Sequence, residues 1–118
     1  FMADRVAVLY LGQCVEMASS QAIFTQTLHP YTRGLFAAIM IGDDENFREK
    51  RRSLQLRGEV LRLEPNYEGC RLIRRCPFSV KSCEQRQELR EIKPGHWSRC
   101  SRVEEIEHEL SALGSGPL

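Results

Sequence analysis

Four cysteines crowd the stretch from Gly69 to Cys100: Cys70, Cys76, Cys83 and Cys100, spaced Cys-x5-Cys-x6-Cys-x16-Cys, with the fifth, Cys14, far upstream. No other feature restricts the fold as much. The residues around them are basic and polar, with too few apolar side chains to order the segment by a core. Fixing a loop-rich chain costs roughly 1–2 kcal/mol of backbone entropy per residue, so something other than apolar burial has to offset it. Disulfides, four unrelated core thiols and a tetrathiolate metal site are the candidates.

Compartment bears on the first. The N-terminus has no basic flank followed by an apolar run and a small-residue cleavage site. The longest apolar run, Leu35 to Ile41, is far short of the ~20 residues that span a bilayer. These features predict a soluble, cytoplasmic chain, in which thiols stay reduced. Four core thiols would need apolar neighbours that the stretch lacks. A metal site meets neither objection: thiolates are soft donors suited to iron–sulfur clusters and to zinc, and metal–thiolate bonds order chains that a core cannot. Structural zinc usually draws its ligands in close Cys-x2-4-Cys pairs. Here no two cysteines stand closer than six positions. That width favours a four-iron cluster over a single zinc ion but leaves both open.

Charge is distributed unevenly. The formal net charge of +1 gives no overall reason to bind nucleic acid or an anionic membrane. Residues 61–100, however, carry nine bases against five acids, and residues 101–118 one base against four acids. The acidic tail is expected to pack back on the basic cysteine region. Arg71, Arg74, Arg75, Lys81 and Arg99 lie near the thiols in sequence and could balance the negative charge of a thiolate-bound metal.

The remaining pattern predicts an α+β chain. "RVAVLYLGQCVEM" (Arg5–Met17) reads as a β-hairpin turning at Leu11-Gly12, its first strand apolar on both faces and needing further strands from upstream of Phe1. "SSQAIFTQ" (Ser19–Gln26) reads as a short helix capped by Ser19 or Ser20. "HPYTRGLFAAIM" (His29–Met40) reads as a second helix with Pro30 at its first position, lined on its core side by Tyr31, Leu35, Phe36 and Ile39, and stopped at Gly42. "DDENFREKRRS" (Asp43–Ser53) reads as a solvated linker. The alternation in "LQLRGEVLRLEP" (Leu54–Pro65) suggests one or two short strands broken at Gly58. "RVEEIEHELSALG" (Arg102–Gly114) is an amphipathic helix with Val103, Ile106, Leu110 and Leu113 as its stripe, and "SGPL" is a frayed end. The opening Phe1-Met2, entering a strand at once, reads as a cut from a longer protein.

Taken together, "ADRVAVLYLGQCVE" (Ala3–Glu16), "LHPYTRGL" (Leu28–Leu35), "LRGEV" (Leu56–Val60), "GCR" (Gly69–Arg71), "RRCPF" (Arg74–Phe78), Cys83 and "PGHWSRC" (Pro94–Cys100) resemble, in order, the C-terminal part of the ATP-binding subunits of oligopeptide/dipeptide ABC importers. The resemblance implies that residues 1–42 are the end of an ABC ATPase domain, 43–53 a charged linker, and 54–118 the oligopeptide-transporter extension with its four-cysteine site. It implies a parent that hydrolyses ATP to import peptides or related solutes, such as nickel or glutathione. That parent would sit on the cytoplasmic face of the membrane, bound to permease subunits and a second ATP-binding subunit, without inserting into the bilayer. It further implies that Cys70, Cys76, Cys83 and Cys100 hold a 4Fe-4S cluster, with zinc as the alternative. ATP and Mg²⁺ would belong to the intact parent only, since the Gly-x4-Gly-Lys-Ser/Thr phosphate loop is absent from this sequence. The segment is expected to contain no catalytic residue. Between "GEV" and "GC" the family is proline-rich, whereas "LRLEPNYE" (Leu61–Glu68) keeps only Pro65.

Single residues complete the reading. His29 is expected to cap a helix, His96 to pack in the "PGHW" turn with its ring bonded to the backbone, Trp97 to lie as a lid over the thiols, and Cys14 to fill strand core. His108 is expected to be exposed and inert. The competing functional reading is a free-standing zinc-binding interaction module, for nucleic acid or another partner.

Overall fold

Leu11 and Gly12 both have positive φ, 49° and 77°, the conformation of a two-residue type I′ turn. They close an antiparallel hairpin of β1 (Arg5–Tyr10) and β2 (Gln13–Ser19), with Tyr10 opposite Gln13 and Arg5 opposite Ser19. The computed structural model describes residues 5–39, 52–60 and 62–112. The predicted helix stop at Gly42, the charged stretch from Asp43 to Arg51, Leu61, Leu113 and the "SGPL" tail lie outside the described residues.

The hairpin finds its sheet partners inside this chain. β3 (Arg90–Lys93) and β4 (His96–Ser98) form a second antiparallel hairpin, turning at Gly95 with φ 75°. β4 then pairs with β2, placing Ser98 opposite Glu16 and Trp97 opposite Met17, so the order is β1-β2-β4-β3. β4 and β3 thus supply two of the further strands that the first hairpin needs. β3 and β4 are too short to announce themselves by alternation. β1 is an edge strand among the described residues. Val6, Val8 and Tyr10 lean inward while Ala7 and Leu9 are exposed, so only one face is covered, not both.

Ser19 caps α1 (Ser20–Thr25) by accepting from the Ala22 N–H at 3.1 Å. Helix α2 (Pro30–Ile39) begins at Pro30 as expected, and Tyr31 and Phe36 pack against the core as expected, but Leu35 and Ile39 do not. Thr32, Arg33, Gly34 and Ala37 are buried, while Leu35 is 41% and Ile39 68% exposed. Close approach decides this orientation. A Cβ on Gly34 would stand 2.7 Å from Leu56 Cγ and 3.2 Å from the Leu54 carbonyl, so the small side of the helix is the side that can lie against that loop.

The loop itself departs from the alternation in its sequence. Residues 52–54 are helical and 55–60 form no strand. Leu54 joins a cluster with Ala37, Ile106 and Leu110, whereas Leu56 packs against a second cluster of Tyr10, Val15, Leu72 and Cys76. Two leucines serving two clusters mimic a strand's period without a strand. Phe78 touches both clusters and joins them. Helix α3 (Val103–Ser111) buries Val103, Ile106 and Leu110 as expected, each burial worth about 1.5–3 kcal/mol. Its acids face bases: Glu104 pairs with Arg90, Glu107 with Arg33, and Glu105 and Glu109 with Arg102.

Candidate metal centre

Cys70, Cys76, Cys83 and Cys100 all line one narrow cavity of about 10 Å³. Local turns place the first three. A turn closed by the Arg75 and Cys76 amides on the Leu72 carbonyl carries Cys76, and a 3-10 turn, η1 (Lys81–Glu84), carries Cys83. The Cys70 amide donates to the Cys83 carbonyl at 2.8 Å and ties the two loops together. Cys100 arrives from the loop between β4 and α3. His29, Pro30, Leu72, Phe78, Gln87, Arg102 and Ile106 are among the other lining residues.

Each sulfur faces a backbone N–H. The Phe78 amide donates to Cys76 Sγ at 3.3 Å and the Val80 amide to Cys83 Sγ at 3.5 Å. Leu72 donates to Cys70 and Arg102 to Cys100. In three cases the donor lies two residues after the cysteine. Such bonds stabilise a thiolate and are the outer-shell contacts that orient and tune metal-bound sulfur. Against them, burial holds the thiols protonated: it pushes Cys76 up to about 12 and Cys100 up to about 11, and raises Cys70. The four also act on one another, each of these shifts being increased by neighbouring thiols. The donor set fits a soft, cationic occupant that would replace the thiol protons. All five cysteines are free of disulfides. Among the described residues no group of three or more His, Cys, Asp or Glu side chains is arranged to hold a single metal ion.

The surrounding charges differ from the expected ones. Arg71 donates to the Leu11 carbonyl, Arg75 to the Tyr10 hydroxyl and the Arg57 carbonyl, and Arg99 to the Cys14 and Gln87 carbonyls. These three stitch the cysteine loops to the hairpin. Arg74 and Lys81 are exposed. The arginine that lines the cavity is Arg102, held by the Phe78 carbonyl, Glu105 and Glu109.

His29, not His96, borders the thiols. Its Nδ1 accepts from the Tyr31 N–H at 3.0 Å, capping α2. Its other ring nitrogen donates to the Arg99 backbone, and burial lowers its pKa to about 3. The His96 ring meets a carboxylate and not the backbone, with Nε2 2.5 Å from Glu16 Oε2. Alternation along β4 puts His96 and Ser98 on the buried face and Trp97 on the other. Trp97 is therefore not the lid; Phe78 is the aromatic side chain on the cavity. Cys14 sits half-buried in β2 with Sγ 3.7 Å from the Glu16 carbonyl. His108 is exposed on α3, as expected.

Comparison with known sequences places this architecture. Residues 15–83 match the family described as the C-terminal region of oligopeptide/dipeptide transporters, and the chain belongs to that family. It is 38% identical over 103 residues to a Brucella ovis protein named as a peptide import ATP-binding protein. It is 37% identical over 100 residues to an oligopeptide transport ATP-binding protein of Bacillus subtilis, and 40% identical over 103 residues to a D,D-dipeptide transport ATP-binding protein of Escherichia coli. These alignments take in 84–86% of this chain but only 30–32% of each relative, so the chain spans about a third of their length. Among the described residues no helix is long and apolar enough to cross a membrane.

Proposed function

We propose that this chain is the C-terminal portion of the ATP-binding subunit of a peptide-importing ABC transporter, and that Cys70, Cys76, Cys83 and Cys100 hold a 4Fe-4S cluster in its extension. The transport reading rests on family membership and on relatives named for peptide, oligopeptide and dipeptide transport. In the intact subunit, ATP hydrolysis on the cytoplasmic face of the membrane would drive import, with permease subunits and a second ATP-binding subunit as partners.

One observation carries the cluster reading: four thiols line a single cavity and each has a backbone N–H directed at its sulfur. When bound, the cluster supplies iron–thiolate cross-links between loops and a one-electron couple. The chain's own residues do the rest. The four amides stabilise thiolate charge, Arg102 sets a cation on the cavity wall, and Phe78, Leu72 and Ile106 exclude water. The site joins α3 and the loops around residues 70–83 to the β-sheet.

The test is anaerobic purification of the intact chain with iron, acid-labile sulfide and zinc counted. A brown protein absorbing near ~400 nm, with four irons and four sulfides per chain, is expected of a thiolate-bound cluster. Serine at any of the four positions should abolish it, and Cys14→Ser should not. A colourless protein with one zinc per chain overturns the cluster assignment.

A further inference from the structure

The Tyr67 hydroxyl is buried and has no hydrogen-bond partner, although its ring is only half-buried. An unmet buried hydroxyl costs free energy that folding normally avoids. Its position is specific. A Cβ on Gly69 would stand 2.6 Å from Tyr67 Oη and 2.5 Å from the Glu84 carbonyl. The hydroxyl therefore lies against the bare Gly69 Cα, one residue before Cys70 and beside the residue that follows Cys83. This is where the Cys70 amide joins the Cys83 carbonyl. Burial keeps the phenol protonated, and the Cys70, Glu84 and Cys83 side chains act in the same direction. It is thus a donor with no acceptor, at the junction of two thiol-bearing loops.

A neutral thiol is a weak acceptor. A metal-bound thiolate is a charged one, and a hydrogen bond to it is correspondingly stronger. We propose that the Tyr67 hydroxyl would donate a hydrogen bond to the sulfur of Cys70 or Cys83 when these residues hold the cluster, and so set its reduction potential. This rests on the cluster reading above. The sign follows from charge. Reduction adds negative charge to the cluster, a donated hydrogen bond stabilises that charge, and the donor therefore raises the potential.

The test compares the full wild-type chain with Tyr67→Phe, both prepared anaerobically, by iron and sulfide count and by potentiometric titration. Phenylalanine keeps the ring and removes the donor. The expected result is an unchanged cluster content and, at fixed potential, an about tenfold lower ratio of reduced to oxidised cluster. For a one-electron couple that is a shift of about 59 mV to more negative potential. Equal potentials at equal cluster content overturn the proposal and leave the cluster reading standing. A wild-type chain that takes up no iron and sulfide overturns both. Should Tyr67→Phe fail to fold, 3-fluorotyrosine placed at position 67 supplies a stronger donor. It must raise the potential, and the absence of a rise is equally decisive against the proposal.

Discussion

Glu16 of β2 and His96 of β4 meet across the sheet, carboxylate Oε2 to ring Nε2, at 2.5 Å with both side chains buried. The same carboxylate accepts the Leu28 and His29 amides, each at 2.9 Å. One side chain thus fixes the ladder between the two hairpins and the entry to α2, which carries His29 to the thiol cavity. Glu16→Ala would leave three buried donors without an acceptor. Each buried donor left unmet costs about 1–3 kcal/mol. Glu16→Gln keeps one acceptor oxygen and should cost about 1–3 kcal/mol. Urea titrations should rank wild type above Gln and Gln above Ala. An alanine variant with the wild-type midpoint contradicts this account.

Gly69 is the tightest point of the cysteine region. An added methyl would meet the Glu84 carbonyl at 2.5 Å, and backbone cannot swing aside as a side-chain tip can. Gly69→Ala should therefore push the Cys70 loop away from η1 and break the Cys70–Cys83 backbone bond. The expected outcome is loss of most bound iron and sulfide, with the far-UV circular dichroism of the sheet and helices retained. A Gly69→Ala chain that loads normally would show that the loops shift without separating the thiols.

What the sequence disclosed and what it hid divide along the range of the interactions. The Leu11-Gly12 turn, the Ser19 cap, Pro30 at its helix start and the Val103, Ile106, Leu110 stripe are set by residues within a turn or two, and all were legible. The four cysteines were legible as a set through crowding and composition. Their companions were not. Glu16 is a lone acid in an apolar strand, and nothing local says that it will meet His96, 80 residues away. Arg102 reaches the cavity only because α3 docks there. On α2 the pattern identifies Tyr31 and Phe36 as core-facing but misplaces Leu35 and Ile39, because packing selects the side that lets Gly34 touch Leu56.

That misreading gives a prediction. If Leu35 and Ile39 are exposed as found, replacing both with glutamine removes little buried area. Surface substitutions of this kind stay within about 0.5 kcal/mol each. Ala37→Gln, one position inside the core cluster, should instead be severely destabilising through overpacking and an unpaired amide. Thermal melts of the two variants should differ widely, and a double glutamine variant as unstable as Ala37→Gln would restore the apolar stripe as the buried side.

His29 makes the fold sensitive to acid. Burial, assisted by the Arg99 charge, lowers its pKa from 6.5 to about 3, and the hydrogen bond to the Arg99 backbone only partly opposes this. The ring is thus held neutral in the folded chain and is free to protonate in the unfolded one. Its contribution is complete above pH 6.5 and is lost as pH falls from 6.5 toward 3, because over that range the unfolded state binds a proton that the folded state refuses. One proton corresponds to roughly 1.4 kcal/mol for each pH unit. His29→Asn keeps a side-chain acceptor for the Tyr31 amide, a role asparagine fills well at helix starts, and cannot titrate. Urea titrations from about pH 7 to about pH 5 should therefore show wild type losing stability more steeply than His29→Asn. The two curves should separate only below pH 6.5, and curves that run parallel through that range would mean that the ring protonates in place.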